Sequence, residues 1–370
     1  MHIVVTGAQG FIGKNLCWRL REQGHLDVAG VDVDTGEAET QRALSAADLV
    51  FHLAGVNRPK DPGEFTEGNA RYTEKLCEAL AAAGRRAAVV FSSSTQAALD
   101  NPYGRSKRAA EEALQRHAER TGARVHLFRL TNVFGKWARP NYNSAVATFC
   151  HNVARGLPIT VNDPAAPLHL VHVDDVVEAF LALLAAPQVA SGFAEAGPVY
   201  ATTVGEVAET VRGFAASRST LLTARVGTGL VRALYSTYLS YLPPQSFGYP
   251  LQRHADARGE FVEVLKTPDC GQFSYFTAHP GVTRGGHYHH SKTEKFLVIR
   301  GSARFGFRHI ETGETHEILT RGGEGLVVET VPGWTHDITN VGQDELVVML
   351  WANELFDRQH PDTIAMKVQP

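Results

Sequence analysis

Cysteine is scarce in this chain. Cys17, Cys77, Cys150 and Cys270 are the 4 cysteines among 370 residues, and they stand far apart with no C-x-x-C pair. That spacing excludes a disulfide framework and a thiolate metal site, leaving reduced thiols as the default. Long apolar runs are missing as well. No stretch approaches the ~20 residues of a membrane span, and Met1–Gly7 reads as a buried strand rather than a basic segment leading into an apolar one. The expectation is a cytoplasmic protein that neither enters a membrane nor is exported. Charge of one sign is equally absent: 36 Lys and Arg against 39 Asp and Glu give a net charge of −3, with no long like-charge run. Nothing therefore marks a nucleic-acid partner, and any phosphate binding must be local. Tandem repeats and low-complexity segments are not visible either.

What is present suits folded cores, with 44% hydrophobic and 20% charged residues. At roughly 100–200 residues per domain, the length predicts two domains. Up to about residue 187, short apolar runs alternate with amphipathic stretches. His2–Val5, Val28–Asp32, Leu49–Leu53, Ala88–Ser92 and Val125–Leu130 read as strands, and Ile12, Leu16 and Leu20 fall on one helical face. This pattern predicts an α/β fold with a doubly wound, Rossmann-like parallel sheet. Thr202–Ala215 reads as a helix and Tyr235–Pro250 as a connector. Beyond it, short alternating segments (Gly259–Lys266, Phe273–Ala278, Glu294–Arg300, Ala303–Arg308, Glu324–Val331, Leu346–Trp351) predict an antiparallel, all-β sandwich or barrel. The expected domains are residues 1–245 and 246–370.

The first candidate site opens at Thr6-Gly7-Ala8-Gln9-Gly10-Phe11-Ile12-Gly13, between a strand and a helix. Gly7, Gly10 and Gly13 permit a tight turn, and the helix N-terminus at Phe11 and Ile12 offers N–H groups to a pyrophosphate. Asp32, about twenty residues on, stands where a carboxylate meets ribose hydroxyls and repels a 2′-phosphate, which favours NAD over NADP. Leu53-Ala54-Gly55 makes a further small-residue turn for the cofactor. Tyr103 and Lys107, four apart, share a helical face, so the ammonium would stabilise a phenolate and suit Tyr103 to proton exchange with a carbonyl. A serine from Ser92-Ser93-Ser94 could orient that oxygen.

By T-G-x-x-G-x-x-G, H-L-A-G, S-S-S and Y-x-x-x-K, the first ~190 residues resemble the extended short-chain dehydrogenase/reductase family. The resemblance implies a nicotinamide dinucleotide, a nucleotide-sugar substrate, Tyr103 as general acid, Lys107 as its activator and Ser94 as its hydrogen-bonding partner. The interval from Ser94 to Tyr103 is shorter than the family's, so Ser93 or Thr95 stands as an alternative. It also implies substrate contacts from the region of Asn132, Asn143 and Ser144.

The second candidate site is a histidine cluster. Of 17 histidines, His279, His287, His289, His290, His309, His316 and His336 come late in the chain. His287 and His289 stand in i, i+2 relation, which on a strand aims both at one face. With Glu294 and His336 they offer three nitrogens and a carboxylate, a set suited to Zn²⁺ or another divalent metal such as Fe, Mn, Ni or Co. The two segments resemble the motifs of the cupin family, which implies a cupin barrel with these four residues as ligands. Asp256-Ala257-Arg258-Gly259-Glu260-Phe261-Val262-Glu263 resembles a stretch of the cupin-like deoxysugar 3,5-epimerases.

The whole chain resembles the CapF-type enzymes of capsular and O-antigen polysaccharide synthesis, through strings at His52–Pro59, Asp100–Lys107, Phe134–Trp137, Pro140–Ser144, Tyr235–Pro243 and Glu294–Val298. The resemblance implies a bifunctional homodimer containing zinc. Its substrate would be a UDP-2-acetamido-2,6-dideoxy-4-keto-hexose, a UDP-linked 4-keto-6-deoxy amino sugar, converted with NADPH to UDP-2-acetamido-2,6-dideoxy-L-talose on the route to N-acetyl-L-fucosamine. Cofactor choice stays open, because the resemblance implies NADP(H) while Asp32 favours NAD(H). The base for C3 inversion stays open among His279, Tyr288, His290 and Lys295. The alternative is a plain nucleotide-sugar reductase whose cupin is a regulatory or dimerising module.

Overall fold

The structure, a computed structural model, describes residues 1–186 and 188–369. These divide into two compact units, Met1–Arg212 with Arg232–Pro243, and residues 213–231 with 244–370. Residues 213–231 group with the second unit because Lys266 N donates to Leu221 O, and Thr223 N to Lys266 O, each at 2.8 Å.

In chain order the first nine strands are β1 (Ile3–Thr6), β2 (Val28–Val31), β3 (Leu49–His52), β4 (Ala88–Ser94), β5 (Val125–Leu130), β6 (Asn132–Phe134), β7 (Pro167–His172), β8 (Gly192–Ala194) and β9 (Val199–Thr203). The helices are α1 (Phe11–Glu22), α2 (Glu37–Ala46), the short α3 (Gly63–Phe65), α4 (Tyr72–Ala82), α5 (Pro102–Thr121), α6 (Ala145–Val153), α7 (Val173–Ala185), α8 (Val204–Thr220) and α9 (Gly229–Ser240). A parallel sheet runs in the order β2-β1-β3-β4-β5-β8. Side-chain alternation builds a core on each face. Ile3, Val5 and Val90 meet Leu16 and Leu20 of α1 and Val177 and Phe180 of α7. Val4, Val89 and Phe91 meet Leu76 and Leu80 of α4 and Ala110 and Leu114 of α5. The sheet is thus doubly wound, as predicted. Strand order reverses between β1 and β3, which opens a crevice at their carboxyl ends. A second small sheet, β6-β7-β9, flanks that crevice.

The second unit holds β10 (Arg253–Asp256), β11 (Gly259–Lys266), β12 (Gln272–Ala278), β13 (Thr283–Tyr288), β14 (Glu294–Arg300), β15 (Ser302–His309), β16 (Thr315–Arg321), β17 (Val327–Glu329), β18 (Trp334–Asn340), β19 (Leu346–Ala352) and β20 (Ile364–Ala365). Two antiparallel sheets form, β10-β11-β12-β19-β14-β17 and β16-β15-β18-β13-β20. Phe276, Phe296 and Val348 of the first pack on Phe305, Phe307 and Ile338 of the second. The predicted all-β domain is therefore present.

Three expectations need correction. The connector at Tyr235–Pro250 begins inside α9, which buries Ala233, Leu234, Thr237 and Tyr238 on one face. Its hydroxyl residues sit comfortably in a helix because Thr237 Oγ1 donates back to Ala233 O at 2.7 Å and Ser240 Oγ to Thr237 O at 2.6 Å. The strand expected over Glu324–Val331 shrinks to β17, since Gly323 and Gly325 take φ of 88° and 69°. The strand carrying His287 and His289 ends at Tyr288, so His289 lies just past β13. No helix among the described residues is long and apolar enough to cross a membrane.

Candidate functional site

Glycine is required at the crevice by contact. Gly7 has φ 69°, and a Cβ there would stand 2.9 Å from Ala54 Cα; one on Gly13 would stand 2.1 Å from Gly7 O. Gly10 precedes α1 and supplies no side-chain cap, so the first turn, at Phe11, Ile12 and Gly13, keeps N–H groups for a ligand. Asp32 just past the end of β2 accepts from Gln9 N through both oxygens at 3.1 Å, and burial pushes its carboxyl up. Leu53 and Gly55 face the same cleft, which has a volume of about 770 Å³.

One feature of this floor escaped sequence reasoning. Thr73 Oγ1 donates to Asn69 O at 2.7 Å, so it must accept from His52 Nε2 at 2.8 Å. His52 Nδ1 is then the acceptor for Thr6 Oγ1 at 2.8 Å, and Thr6 Oγ1 accepts from Ala54 N at 3.2 Å. Burial, with the Lys107 charge, holds this imidazole down at about 3 and therefore neutral. Asn69 continues the network, donating to Val56 O and Ser106 Oγ at 2.9 Å, and Ser106 Oγ donates to Tyr103 O at 2.8 Å. A histidine ending a fully buried strand beside the glycine turn was the available signal.

Tyr103 and Lys107 occupy the first turns of α5, whose N-terminus Asn101 caps by accepting from Gly104 N at 2.7 Å. Ser94, at the end of β4, lines the same cleft as Tyr103 and accepts from Gln96 N at 3.2 Å. Ser93 Oγ instead donates to the buried Glu111 carboxylate at 2.5 Å, and Thr95 starts a short 3₁₀ turn. Lys107 Nζ donates to Ser92 O at 3.0 Å, 4.8 Å from the centre of the Phe91 ring. Burial pushes its ammonium down to about 8, against the attraction of Glu111. Burial pushes the Tyr103 phenol up, and the neighbouring Ser94 hydroxyl opposes that shift. Asn132, Asn143 and Ser144 line the far wall of the cleft with Trp137, Arg139 and Tyr142, and Ser144 also caps α6 by accepting from Ala147 N at 3.2 Å.

In the second unit, β13 and β18 place His287 directly opposite His336, with ring centroids 4.6 Å apart. His289 Nε2 lies 3.3 Å and His336 Nε2 3.5 Å from Glu294 Oε2. Donor atoms of all four residues fall within 4.8 Å of one another. His336 is buried with both ring nitrogens lacking a hydrogen-bond partner. Burial alone would push Glu294 up, but His289, His336 and Lys292 hold its carboxyl far below the usual range. Burial, with His336, pushes His287 down to about 4. An imidazole pushed toward its neutral form at His287, an ionised carboxylate and the orphaned buried nitrogens of His336 fit a divalent cation.

Around them, Tyr288 and His290 meet edge to face with ring centroids 5.5 Å apart, and Lys295 pairs with Glu329. His279 N donates to Arg258 O at 3.0 Å. Sequence reasoning missed two residues here. Buried Lys292 brings Nζ within 3.2 Å of Glu294 Oε1, and Asp362 binds the loop that carries His289. No local pattern connects Asp362 with a loop some seventy positions earlier.

The model of the NAD dependent epimerase/dehydratase family matches residues 3–193. A curated relative, UDP-2-acetamido-2,6-beta-L-arabino-hexul-4-ose reductase of Pseudomonas aeruginosa, is 56% identical over 368 residues, covering 100% of this chain and 99% of that one. The solved structure of the capsular polysaccharide assembling protein CapF from Staphylococcus aureus superposes with a TM-score of 0.92 at 42% identity, over 100% of both chains. The chain belongs to the CapF family. Within this CapF-family chain, residues 254–364 also match the polysaccharide biosynthesis C-terminal domain. For the dinucleotide fold alone, the UDP-glucose 4-epimerase of Thermus thermophilus, solved with NAD, aligns at TM-score 0.55 and 23% identity, covering 65% of this chain and 99% of that one.

Proposed function

We propose that this chain is a nucleotide-sugar 4-ketoreductase that also epimerises C3 of its substrate, a UDP-2-acetamido-2,6-dideoxy-4-keto-hexose, giving UDP-2-acetamido-2,6-dideoxy-L-talose. The observation that carries the reading is the full-length 56% identity to a reductase of that sugar class, beside a cleft that Ser94, Tyr103 and Lys107 line. Reduction belongs to residues 1–245 and epimerisation to residues 246–370.

Gly7, Gly10, Phe11, Ile12, Gly13, Leu53, Ala54 and Gly55 would hold the dinucleotide, which when bound supplies the hydride for C4. Tyr103 gives its phenolic proton to the C4 oxygen as the carbonyl becomes an alcohol. Ser94 orients that phenol, and the Lys107 ammonium steadies the phenolate left behind. Asn132, Asn143 and Ser144 bind the sugar. NADP(H) follows from the family and NAD(H) from the carboxylate of Asp32, so both are tested.

His287, His289, Glu294 and His336 would hold a divalent ion, zinc in the family, and such an ion supplies Lewis acidity toward a sugar oxygen. The ketone acidifies its neighbouring C–H bond, and a base in this unit removes the C3 proton before a proton returns to the other face. Lys295, paired with Glu329, is a poor choice for that base. The family reading also carries a homodimer, which sedimentation equilibrium tests.

The deciding experiment follows deuterium entry at C3 and NAD(P)H oxidation on the 4-keto sugar nucleotide. Tyr103→Phe is expected to stop oxidation while deuterium still enters C3, and His336→Ala to abolish deuterium entry. A wild type that never takes deuterium into C3 would leave a plain reductase with a regulatory second domain.

A further inference from the structure

His289 is a candidate ligand without a strand to hold it, because β13 ends at Tyr288. Its place is fixed from the far end of the chain. The Asp362 carboxylate accepts from the backbone N of His290, Ser291 and Lys292 at 2.8, 2.7 and 2.8 Å, and from Ser291 Oγ at 3.1 Å. Four donors on one carboxylate hold it well below the usual range, with the His290 N–H the largest influence. The main-chain carbonyl of the same residue bonds His289 Nδ1. A carbonyl only accepts, so Nδ1 carries the proton and the lone pair of a neutral ring sits on Nε2, the atom 3.3 Å from Glu294 Oε2. Immediately beyond, β20 pairs with β13, His287 against Ala365 and Tyr288 against Ile364, and Met366 N donates to Gly286 O at 2.9 Å.

We infer that Asp362 is a positioning residue of the metal centre: its carboxylate ties down the 289–292 loop while its carbonyl selects the His289 tautomer that presents Nε2 to the ion. The inference rests on the reading that His287, His289, Glu294 and His336 hold a metal. The clamp also sets Lys292, whose Nζ reaches Glu294 Oε1 at 3.2 Å, so one residue steadies two of the groups around that carboxylate. Partners of this kind typically change metal affinity about 10- to 100-fold when removed. Asp362→Asn is the informative change, because its amide nitrogen would face backbone N–H groups that need an acceptor.

The test is Zn²⁺ affinity of the full chain by competition with a chromophoric chelator, with the visible absorption of the Co²⁺-loaded protein as a second readout. Asp362→Asn is expected to weaken zinc binding about 10- to 100-fold and to alter the Co²⁺ bands, while NAD(P)H binding to the first unit is unchanged. Ser291→Ala, which removes a single bond to the carboxylate, is expected to weaken zinc binding less, and it serves if Asp362→Asn fails to fold. Thermal unfolding separates positioning from plain stabilisation: the zinc-induced rise in Tm should shrink in Asp362→Asn. An equal fall in Tm with and without zinc, at unchanged affinity, would overturn the inference and leave the metal reading intact. A wild type that takes up no more metal than His336→Ala would overturn both.

Discussion

At Lys107, burial and charge pull against each other. Its Nζ is enclosed by Ser92 O and the Phe91 ring, and its ammonium is brought down to about 8 although Glu111 opposes the shift. Between about pH 8 and the ordinary lysine range the unfolded chain binds the extra proton, so this group's contribution to stability rises with pH across that window. Activity should run the other way. The charge beside Tyr103 is lost as pH climbs through about 8, so kcat for ketone reduction is expected to fall on that side. Glu111→Gln removes the charge that supports the ammonium and should move this limb of the pH–rate profile to lower pH. The same change puts an amide nitrogen in place of one of the two oxygens that accept from Arg129, at 3.0 and 2.7 Å, and should cost about 2 kcal/mol in urea unfolding. A limb that stays in place assigns the ionisation to another group. Tyr103→Phe should lower kcat about 10²- to 10⁴-fold with little effect on the KM for the sugar. That Tyr103 and Lys107 line one cleft was legible because four-residue spacing on a helix is a local rule. Glu111 lies a further turn along α5, but its value depends on Ser93 and Arg129, which arrive from neighbouring strands.

Among the elements, β13 shows what a glycine pair does for a site. The ladder between β13 and β18 shifts register between Gly285 and His287, and Gly285 and Gly286 take φ of 93° and 77°. The bulge turns His287 onto the face of His336, so the two imidazoles meet although the regular alternation is broken. A Cβ on Gly285 would stand 2.9 Å from His336 O and 3.1 Å from Asp337 Cα. Gly285→Ala is therefore expected to destabilise the second unit by about 1–3 kcal/mol and to weaken zinc binding. Thermal unfolding with and without metal measures both, and an unchanged zinc affinity would show that the bulge does not aim the ligand. Short apolar runs read well as the buried strands β1 and β3, and alternation read well in β14. It failed where hydroxyl side chains bond back to the helix, as in α9, and where positive-φ glycines cut a strand short, as before β17. The i, i+2 spacing of His287 and His289 anticipated their closeness for an incomplete reason, since His289 is held by Asp362 rather than by a strand.

For the molecule as a whole, two cores, with a different ligand proposed for each, imply separable stabilities. The parallel-sheet core and the β-sandwich core are built from different stretches of chain. A dinucleotide at about a hundred times its Kd should stabilise the first unit by about 2.7 kcal/mol. In calorimetry, NAD(P)H is expected to raise one unfolding transition and a chelator to lower the other, whereas one shared shift would mean that the units unfold together. The proposed chemistry also imposes an order on the two units. The C3 proton is acidic only while C4 is a ketone, and hydride delivery above Tyr103 ends that state, so epimerisation must precede reduction. The C4 alcohol, offered in D₂O to zinc-loaded enzyme without dinucleotide, is expected to take no deuterium into C3, while the 4-ketone under the same conditions does. Deuterium entering the alcohol would remove the carbonyl's acidifying role and with it the reason for the order. Entry into the ketone alone, abolished in His336→Ala and retained in Tyr103→Phe, would assign the first step to the histidine cluster and the second to the tyrosine.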